Sequence, residues 1–538
     1  MKKLVCSLML ALCLGFTGSA LAQGAATTVQ VNNDKVAATI REVRVIAERG
    51  EAPAQDGLGV MDKKGRGVVP DDARAVRRYR KAAERGDAVG QYNLGLAYDT
   101  GRGVAQDNVQ AVYWYRKAAE QGYASAQVNL GFMYRHGQGV AQDDAQGVGW
   151  YHKAADQGDA VGQYNLGVAY DKGRGVAQDK EQAVRWYRKA AEQGYASAQV
   201  NLGFMYRHGL GVERDDARGV SWYRKGAEQG DAVGQYDLGL AYDKGRGVPQ
   251  DNAQAVHWYR KAAEQGYASA QVNLGFMYRH GLAVARDDAQ GVSWYRKAAD
   301  QGNAIGEYNL GVAYDNGRGI AQDNVQAVNW YRKSAEQGYA SAQTNLGFMY
   351  RKGLGVEQDD AQAISWYRKG AEQGDAVGQY NLGLAYRNGR GVEQDDVQAV
   401  GWYRKAAEQG YASAQNNLGS MYRKGLGVAR DDAQAVNWYR KAAEQGNASG
   451  QSNLGFMYGK GLGVARDDAQ AVSWHRKAAE QGDAVAQFNL GVMYASGRGV
   501  ARDDAEAVAW YRKAAEQGDP DAQKALRKME ASGRGVPK

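Results

Sequence analysis

Apolar and small residues recur along residues 87–122, DAVGQYNLGLAYDTGRGVAQDNVQAVYWYRKAAEQG, at the spacing of one helix face, and they do so twice. In the first half, Ala88, Gln91, Leu94, Gly95 and Tyr98 fall on a single stripe of a helical period. Gly101 supplies a left-handed C-cap, and Gly103 with Val104 carries the turn. Asp107 and Gln110 have the spacing of a capping box, in which each side chain satisfies a free backbone donor of the opening turn. The pair recurs as Asp143/Gln146, Asp323/Gln326 and Asp503/Glu506, and Arg74 and Arg218 interrupt it. A second helix follows, with Ala111, Tyr115, Ala118 and Ala119 as its buried stripe and Gly122 as its stop. Small residues at Gly95, Ala111 and Ala118 predict a close approach of the two helices, while Leu94, Tyr98, Trp114 and Tyr115 fill the space between neighbours.

The pattern repeats without insertion or deletion. All 12 tryptophans, from Trp114 to Trp510, stand 36 residues apart, and thirteen units of this length span residues 51–518. One hairpin cannot bury its own faces, so stability must come from stacking, and the end units need caps. The chain is therefore read as all-α, an α/α solenoid superhelix of helix-turn-helix repeats. Residues 23–50 read as a linker and capping helix, with Ile40, Val43 and Ile46 leading into Ala47-Glu48-Arg49-Gly50. Residues 519–538 read as a C-terminal half repeat and tail, polar at Lys524, Arg527, Lys528 and Glu530.

The unit resembles the Sel-one-like repeat (SLR) family, relatives of tetratricopeptide repeats. The resemblance rests on the run NLGLAYDTGRGV followed by AVYWYRKAAEQG and covers about residues 51 to 536. The first unit departs from it, with Asp62 for the tyrosine and Arg78 for the tryptophan. Membership implies right-handed α/α superhelices that act as adaptors, often outside the cytoplasm in bacteria, with some secreted members engaging host proteins.

Adjacent units are not equivalent. One type opens Asp-Ala-Val-Gly-Gln-Tyr, as at Asp87 to Tyr92, and the next opens Tyr-Ala-Ser-Ala-Gln-Val, as at Tyr123 to Val128, giving a second period of 72 residues. The differences concentrate at 89, 92, 96, 97, 99 and 100, mostly on the first-helix stripe opposite Leu94 and Tyr98. In tetratricopeptide-like stacks the matching stripe lines the concave groove. Candidate partner contacts are therefore Tyr92, Tyr164, Tyr236, Tyr308 and Tyr380, which alternate with smaller residues as Leu96 alternates with Phe132. Asp99, Arg135, Asp171, Arg207 and Asp243 alternate in sign beside them. Asn93, Asn129, Asn165 and Asn201 belong to a ladder that Asp237 interrupts, and an amide offers both donor and acceptor to an extended peptide backbone. Each residue also has a plainer use: Asn93 bonding its own loop, Asp99 pairing with Arg135, Tyr92 packing between units. Tyr123 and Tyr195, where Asp87 caps instead, are read as packing between repeats.

Residues 1–22 differ in kind. Met1-Lys2-Lys3 is a basic n-region, Leu4 to Phe16 is apolar, and Ala20-Leu21-Ala22 is a small-x-small cleavage site, as in a cleaved secretory signal. The expected location is periplasmic or secreted, without a membrane span. The segment holds both cysteines, Cys6 and Cys13, and its removal takes the net charge from +8 to +6 by deleting Lys2 and Lys3. Bases recur beside acids, as Arg116 and Lys117 do beside Glu120, so nucleic acid is not an expected partner.

Chemistry is not expected either. His136, His208 and His280 share one repeat position two units apart, too far to meet on one ion, and no metal or cofactor is expected. Gly101-Arg102-Gly103 lacks the Lys-Ser/Thr of a phosphate loop, and near-identical units leave no local departure where a catalytic group would sit. The expected function is a non-enzymatic protein- or peptide-binding scaffold outside the cytoplasm. It would hold an extended or multivalent partner along the concave face, in cell-envelope assembly or against a host protein. The alternative is a cell-wall glycan-binding or cell-wall-modifying protein, since tyrosine-lined grooves stack sugars; the lack of a distinctive carboxylate pair weighs against it.

Overall fold

The computed structural model describes residues 45–48, 51–64 and 69–535. The expected signal at 1–22, the cap residues Ile40 and Val43, and Arg49 and Gly50 lie outside the described residues. Among the described residues, 27 helices run from Ala52–Lys64 to Pro520–Ala531, with no strand; 26 pair as first and second helices of thirteen successive repeats, and Pro520–Ala531 follows unpaired. The chain divides between Gln265 and Gly266 into two compact units, and each is an α/α solenoid of the same hairpin. Before the first repeat, Ile46 and Ala47 pack on Ala54, Leu58 and Met61, and Gln55 Nε2 donates to the Ala47 carbonyl at 2.6 Å.

Every second helix between Asp72–Glu84 and Asp504–Glu516 opens on an aspartate. Asp107 accepts the Gln110 N–H at 3.0 Å and Asp143 the Gln146 N–H at 2.9 Å. The reciprocal half of the expected capping box is replaced: Gln146 Nε2 donates back to the Asp143 carboxylate at 2.9 Å. Arg74 and Arg218 interrupt nothing, because their backbone N–H groups bond Asp71 and Asp215 at 2.8 and 2.9 Å. The aspartate alone makes the cap, so the third residue of the helix is free to vary. First helices alternate. Asp87 caps Gly90 at 2.7 Å, whereas Tyr123 makes no side-chain cap bond. Such tyrosines forgo a cap worth ~1 kcal/mol for packing between repeats.

Gly101 closes the first helix at φ 67°, in the left-handed region. Two residues on, Gly103 also has positive φ, and a Cβ there would collide with the Asp72 carbonyl at the start of the preceding repeat's second helix. The turn thus reverses the chain and seats it on its neighbour.

Within each hairpin a glycine of the first helix lies under a tyrosine of the second. A Cβ on Gly167 would stand 2.7 Å from Tyr187 Cδ1, and one on Gly239 2.7 Å from Tyr259 Cδ1. Tyr115, Tyr187 and their equivalents are fully buried. At 475 a histidine takes the tyrosine's place against Gly455, and burial of the ring lowers its pKa to about 4.

Repeats are then joined by a buried polar ladder and an outer clasp. Gln91 donates to the Ala83 carbonyl of the preceding repeat at 3.2 Å and accepts from Gln121 at 2.7 Å. Arg116 donates to the Tyr134 hydroxyl of the next repeat at 2.7 Å. Trp150 packs against the cluster that joins Ala111 and Val112 of the preceding repeat to Met133 of its own, with Lys153 Nζ 3.9 Å from its ring centroid. The tryptophans are scaffold, as their invariant spacing implies.

The 72-residue period is a packing period. In the first unit, first helices of successive repeats come closest at Ala52–Lys64 with Ala88–Thr100, Ala124–His136 with Ala160–Lys172, and Ala196–His208 with Ala232–Lys244. In each pair the later helix has glycine third, as Gly90, Gly162 and Gly234. At the intervening junctions the third residue is Ala126 or Ala198. The second unit obeys the same rule, with Gly306, Gly378 and Gly450 at close junctions and Ala342, Ala414 and Ala486 between them. A Cβ on Gly234 would stand 2.8 Å from Val200 Cγ2 of the preceding first helix, so only glycine lets that helix settle against its predecessor.

Two sets of variants test this packing. Gly167→Ala is expected to cost about 1–3 kcal/mol by overpacking Tyr187. Gly149→Ala, mid-helix where an added Cβ meets nothing within 4 Å, is expected to gain about 0.5–1 kcal/mol. Urea unfolding followed by circular dichroism reads both. Between pH 6.5 and about 4 the unfolded chain protonates His475 and the folded chain does not, so stability falls as pH falls through that window. His475→Tyr removes this part of the acid slope in the same assay.

Candidate functional site

The alternating stripe of the first helices is where the sequence points, and the structure divides it into two sets of residues. One set joins repeats to each other. Tyr92 is half-buried between Tyr115 and Tyr123, with ring centroids at 5.9 and 5.2 Å. Tyr164 lies likewise between Tyr187 and Tyr195, Tyr308 between Tyr331 and Tyr339, and Tyr380 between Tyr403 and Tyr411. Tyr236 stacks at 5.9 Å on Tyr259. Burial pushes the phenols of Tyr92, Tyr164, Tyr308 and Tyr380 above their ordinary pKa. These rings are wedges between helices, with little open face for a ligand.

Their polar neighbours serve the same joints. Asn129 faces the Tyr92 and Tyr115 phenols of the preceding repeat and opposes the rise in their pKa on burial, and Asn201 acts likewise on Tyr164 and Tyr187. Asn93 Nδ2 donates to Asp56 Oδ1 at 2.7 Å, Asp56 standing where later repeats carry tyrosine. Asn165 is half-buried and follows a repeat whose matching residue is Val128, which offers no hydrogen bond. Asp237 replaces an asparagine of this ladder; burial raises its pKa to about 6 against the opposing charges of Arg207 and His208.

The alternating charges also turn inward. Tyr115 Oη donates to Asp99 at 3.1 Å and Tyr259 Oη to Asp243 at 3.3 Å. Asp171 is buried, which would raise its pKa, but Lys180 at 2.7 Å and Lys172 at 3.0 Å outweigh that and hold it below the usual range. Arg135 stands 4.0 Å from Asp144 and its charge opposes the rise in the Tyr151 pKa on burial, while Arg207 acts likewise on Tyr223. Each pairs within its own repeat. The pairing of Asp99 with Arg135 that the alternation suggests is replaced by tyrosine contacts at both residues.

The second set remains open to solvent. On the first unit's first helices these are Val89, Phe132, Val161, Phe204 and Val233, between 37% and 45% exposed. In the second unit Phe276, Ile305, Phe348, Val377 and Val485 stand at the same positions. His136 stacks on Phe132 with centroids 4.0 Å apart, and His208 on Phe204 at 4.1 Å. This apolar stripe shares the 72-residue alternation, valine at one end of the face in one repeat and phenylalanine nearer the other end in the next. Position 89 was legible as one that alternates; what marks it as surface is that its neighbours at 92 and 93 are occupied by the next and the preceding repeat. Among the described residues, no three His, Cys, Asp or Glu side chains gather as a metal would require.

Thirteen consecutive segments from 52–87 to 484–519 match the Sel1 repeat. A protective antigen of uropathogenic Escherichia coli displaying an SLR fold is 39% identical, with a TM-score of 0.67 over 91% of this chain and 97% of that one. A Sel1 repeat protein from Oxalobacter formigenes is 37% identical over 57% of this chain and 90% of its own, with a TM-score of 0.46. No curated protein sequence matches the chain. With the repeat unit matched end to end from residue 52 to 519, and its glycine, tyrosine and aspartate contacts recurring in both units, the chain belongs to the Sel1 repeat family, whose solenoids are scaffolds for protein interaction.

Proposed function

We propose that this chain is a non-enzymatic scaffold that works outside the cytoplasm and holds a protein or peptide partner along the exposed face of its first helices. The observation that carries the reading is the apolar stripe of Val89, Phe132, Val161, Phe204 and Val233, which the stack leaves in solvent while burying the tyrosines around it. Scattered single apolar side chains on a surface need no explanation, but a stripe that recurs on one face of successive helices marks an interaction surface. Many modest contacts repeated along a chain give affinity to a partner that spans several of them.

Three further observations support the reading. The signal-like residues 1–22 favour export to the periplasm or beyond. No helix among the described residues is long and apolar enough to cross a membrane. The uropathogenic relative is a protective antigen, which favours a surface-facing or host-facing role over envelope assembly. Because the tyrosines are wedged between helices, the face suits protein better than stacked sugar.

Site-specific photocrosslinking tests the assignment. A photoreactive residue at 132 or 204 is expected to capture partner protein on exposure to host secretions or in intact cells. The same residue at 109, an exposed valine of a second helix, is expected to capture little. Equal capture from 109, or loss of capture on adding soluble glycan fragments, would overturn the reading.

A further inference from the structure

The chain carries nearly balanced charge, with 68 Lys and Arg against 60 Asp and Glu, yet the balance fails on one edge. In the first helices of residues 88–248 and the four residues after each, every exposed charged side chain is a base: Arg102, Lys172, Arg174, Lys244 and Arg246, with His136 and His208 at the matching positions. The acids of the same segments are withdrawn. Asp99 is half-buried under Tyr115, Asp171 is buried beside Lys180, and Asp243 is half-buried under Tyr259. Lys172 and Lys244 also touch Asp171 and Asp243, but their side chains stay 61% and 55% exposed. As far as residue 500 the second unit repeats the rule, its exposed charges in these segments being His280, Arg318, Lys352, Arg390, Lys424 and Lys460, with Arg390 also 3.8 Å from Asp360; the closing helix Pro520–Ala531 departs from it by exposing Asp521 and Glu530.

A hidden acid and an exposed base are not equivalent to a passing ligand. The withdrawn carboxylates already accept hydrogen bonds, whereas the cationic ends of the exposed side chains reach solvent, where another carboxylate can meet them. The basic edge runs beside the apolar stripe on the same helices, with His136 and His208 one turn beyond Phe132 and Phe204. A surface that interleaves apolar side chains and cations complements a chain that interleaves apolar side chains and carboxylates.

We infer that the partner of the first-helix face is an acidic amphipathic polypeptide, its apolar side chains lying on the Phe132 and Phe204 stripe and its carboxylates on the Lys172, Arg174, Lys244 and Arg246 edge. This inference rests on the proposed function and specifies its ligand. A bare polyanion such as nucleic acid would use the edge and ignore the stripe, so the stripe decides for polypeptide.

The test uses the full mature chain and three fluorescent peptides: alternating Glu with Leu and Phe, alternating Lys with Leu and Phe, and alternating Glu with Ser. Anisotropy is expected to show binding of the first peptide, weakened about tenfold or more by the joint change Lys172→Glu, Arg174→Glu, Lys244→Glu and Arg246→Glu, and weakened by raising salt from about 0.05 to about 0.3 M. Phe132→Ser with Phe204→Ser is expected to weaken it too. These side chains are exposed, and circular dichroism checks that each variant stays helical. Equal binding of the Glu and Lys peptides, or no effect of the charge reversal, overturns the proposal. Equal binding of the Glu-Ser peptide, or displacement by duplex DNA with no effect of the serine changes, marks a plain polyanion surface and overturns it as well. Photocrosslinks retained at 132 and 204 beside a null result here leave the face standing and remove only the acidic ligand.

Discussion

A pair of thirteen-residue helices cannot cover its own apolar surface, and everything else in this chain follows from that deficit. The contact that answers it first is the glycine under the tyrosine, Gly167 beneath Tyr187, which brings the two helices close enough for a large ring to be fully buried within one hairpin. The hairpin then offers Ala83-like carbonyls and Gln91-like amides at its edges, and a neighbour must satisfy them. Side chains that a binding protein would normally show to solvent are drawn into the joints. The surface left for recognition is what the joints do not use.

Alternation refines that rule. The tyrosine type of repeat fills its forward junction with Tyr92 and Tyr123, and the valine type closes its forward junction on a glycine, Gly162. A large residue meets an aromatic partner, and a small one meets the absence of a side chain. Successive junctions are therefore complementary in pairs, and the natural unit of this stack is two repeats. Glu307 shows how little latitude the joints allow. It takes the place of a ladder glutamine, accepts from Gln337 at 2.7 Å, and as a carboxylate has no donor for the carbonyl behind it; burial raises its pKa accordingly.

Helices, caps and stops were legible because they depend on residues close in sequence: Asp107 before the second helix, Gly101 after the first, Ala111, Tyr115 and Ala118 on one stripe. The stack was legible because the period is unbroken. The roles of Tyr92, Asn129 and Asp99 were not, because a polar or aromatic side chain on a helix face reads the same whether its partner is a ligand or the next repeat. The geometry places that partner 37 residues away in the case of Asn129 with Tyr92 and Asn93 with Asp56. Gln91 carries a signal in the sequence itself: an amide on an otherwise apolar stripe needs a partner, and Gln121 accompanies it before the closing glycine. The exposed set, Val89 and Phe132 above all, emerges only by subtraction once the joints are known.

Deletion within the first unit measures the central claim, that alternation is complementarity between neighbouring repeats. Removing Tyr123 to Gly194 joins Gly122 to Tyr195 and keeps the order of junctions, while removing Tyr123 to Gly158 joins Gly122 to Asp159 and sets Tyr92 against a glycine-type helix. Thermal unfolding of both chains followed by circular dichroism is expected to give the lower midpoint for the shorter deletion, although that chain keeps one more repeat. Midpoints that simply rank with the number of repeats would contradict the account.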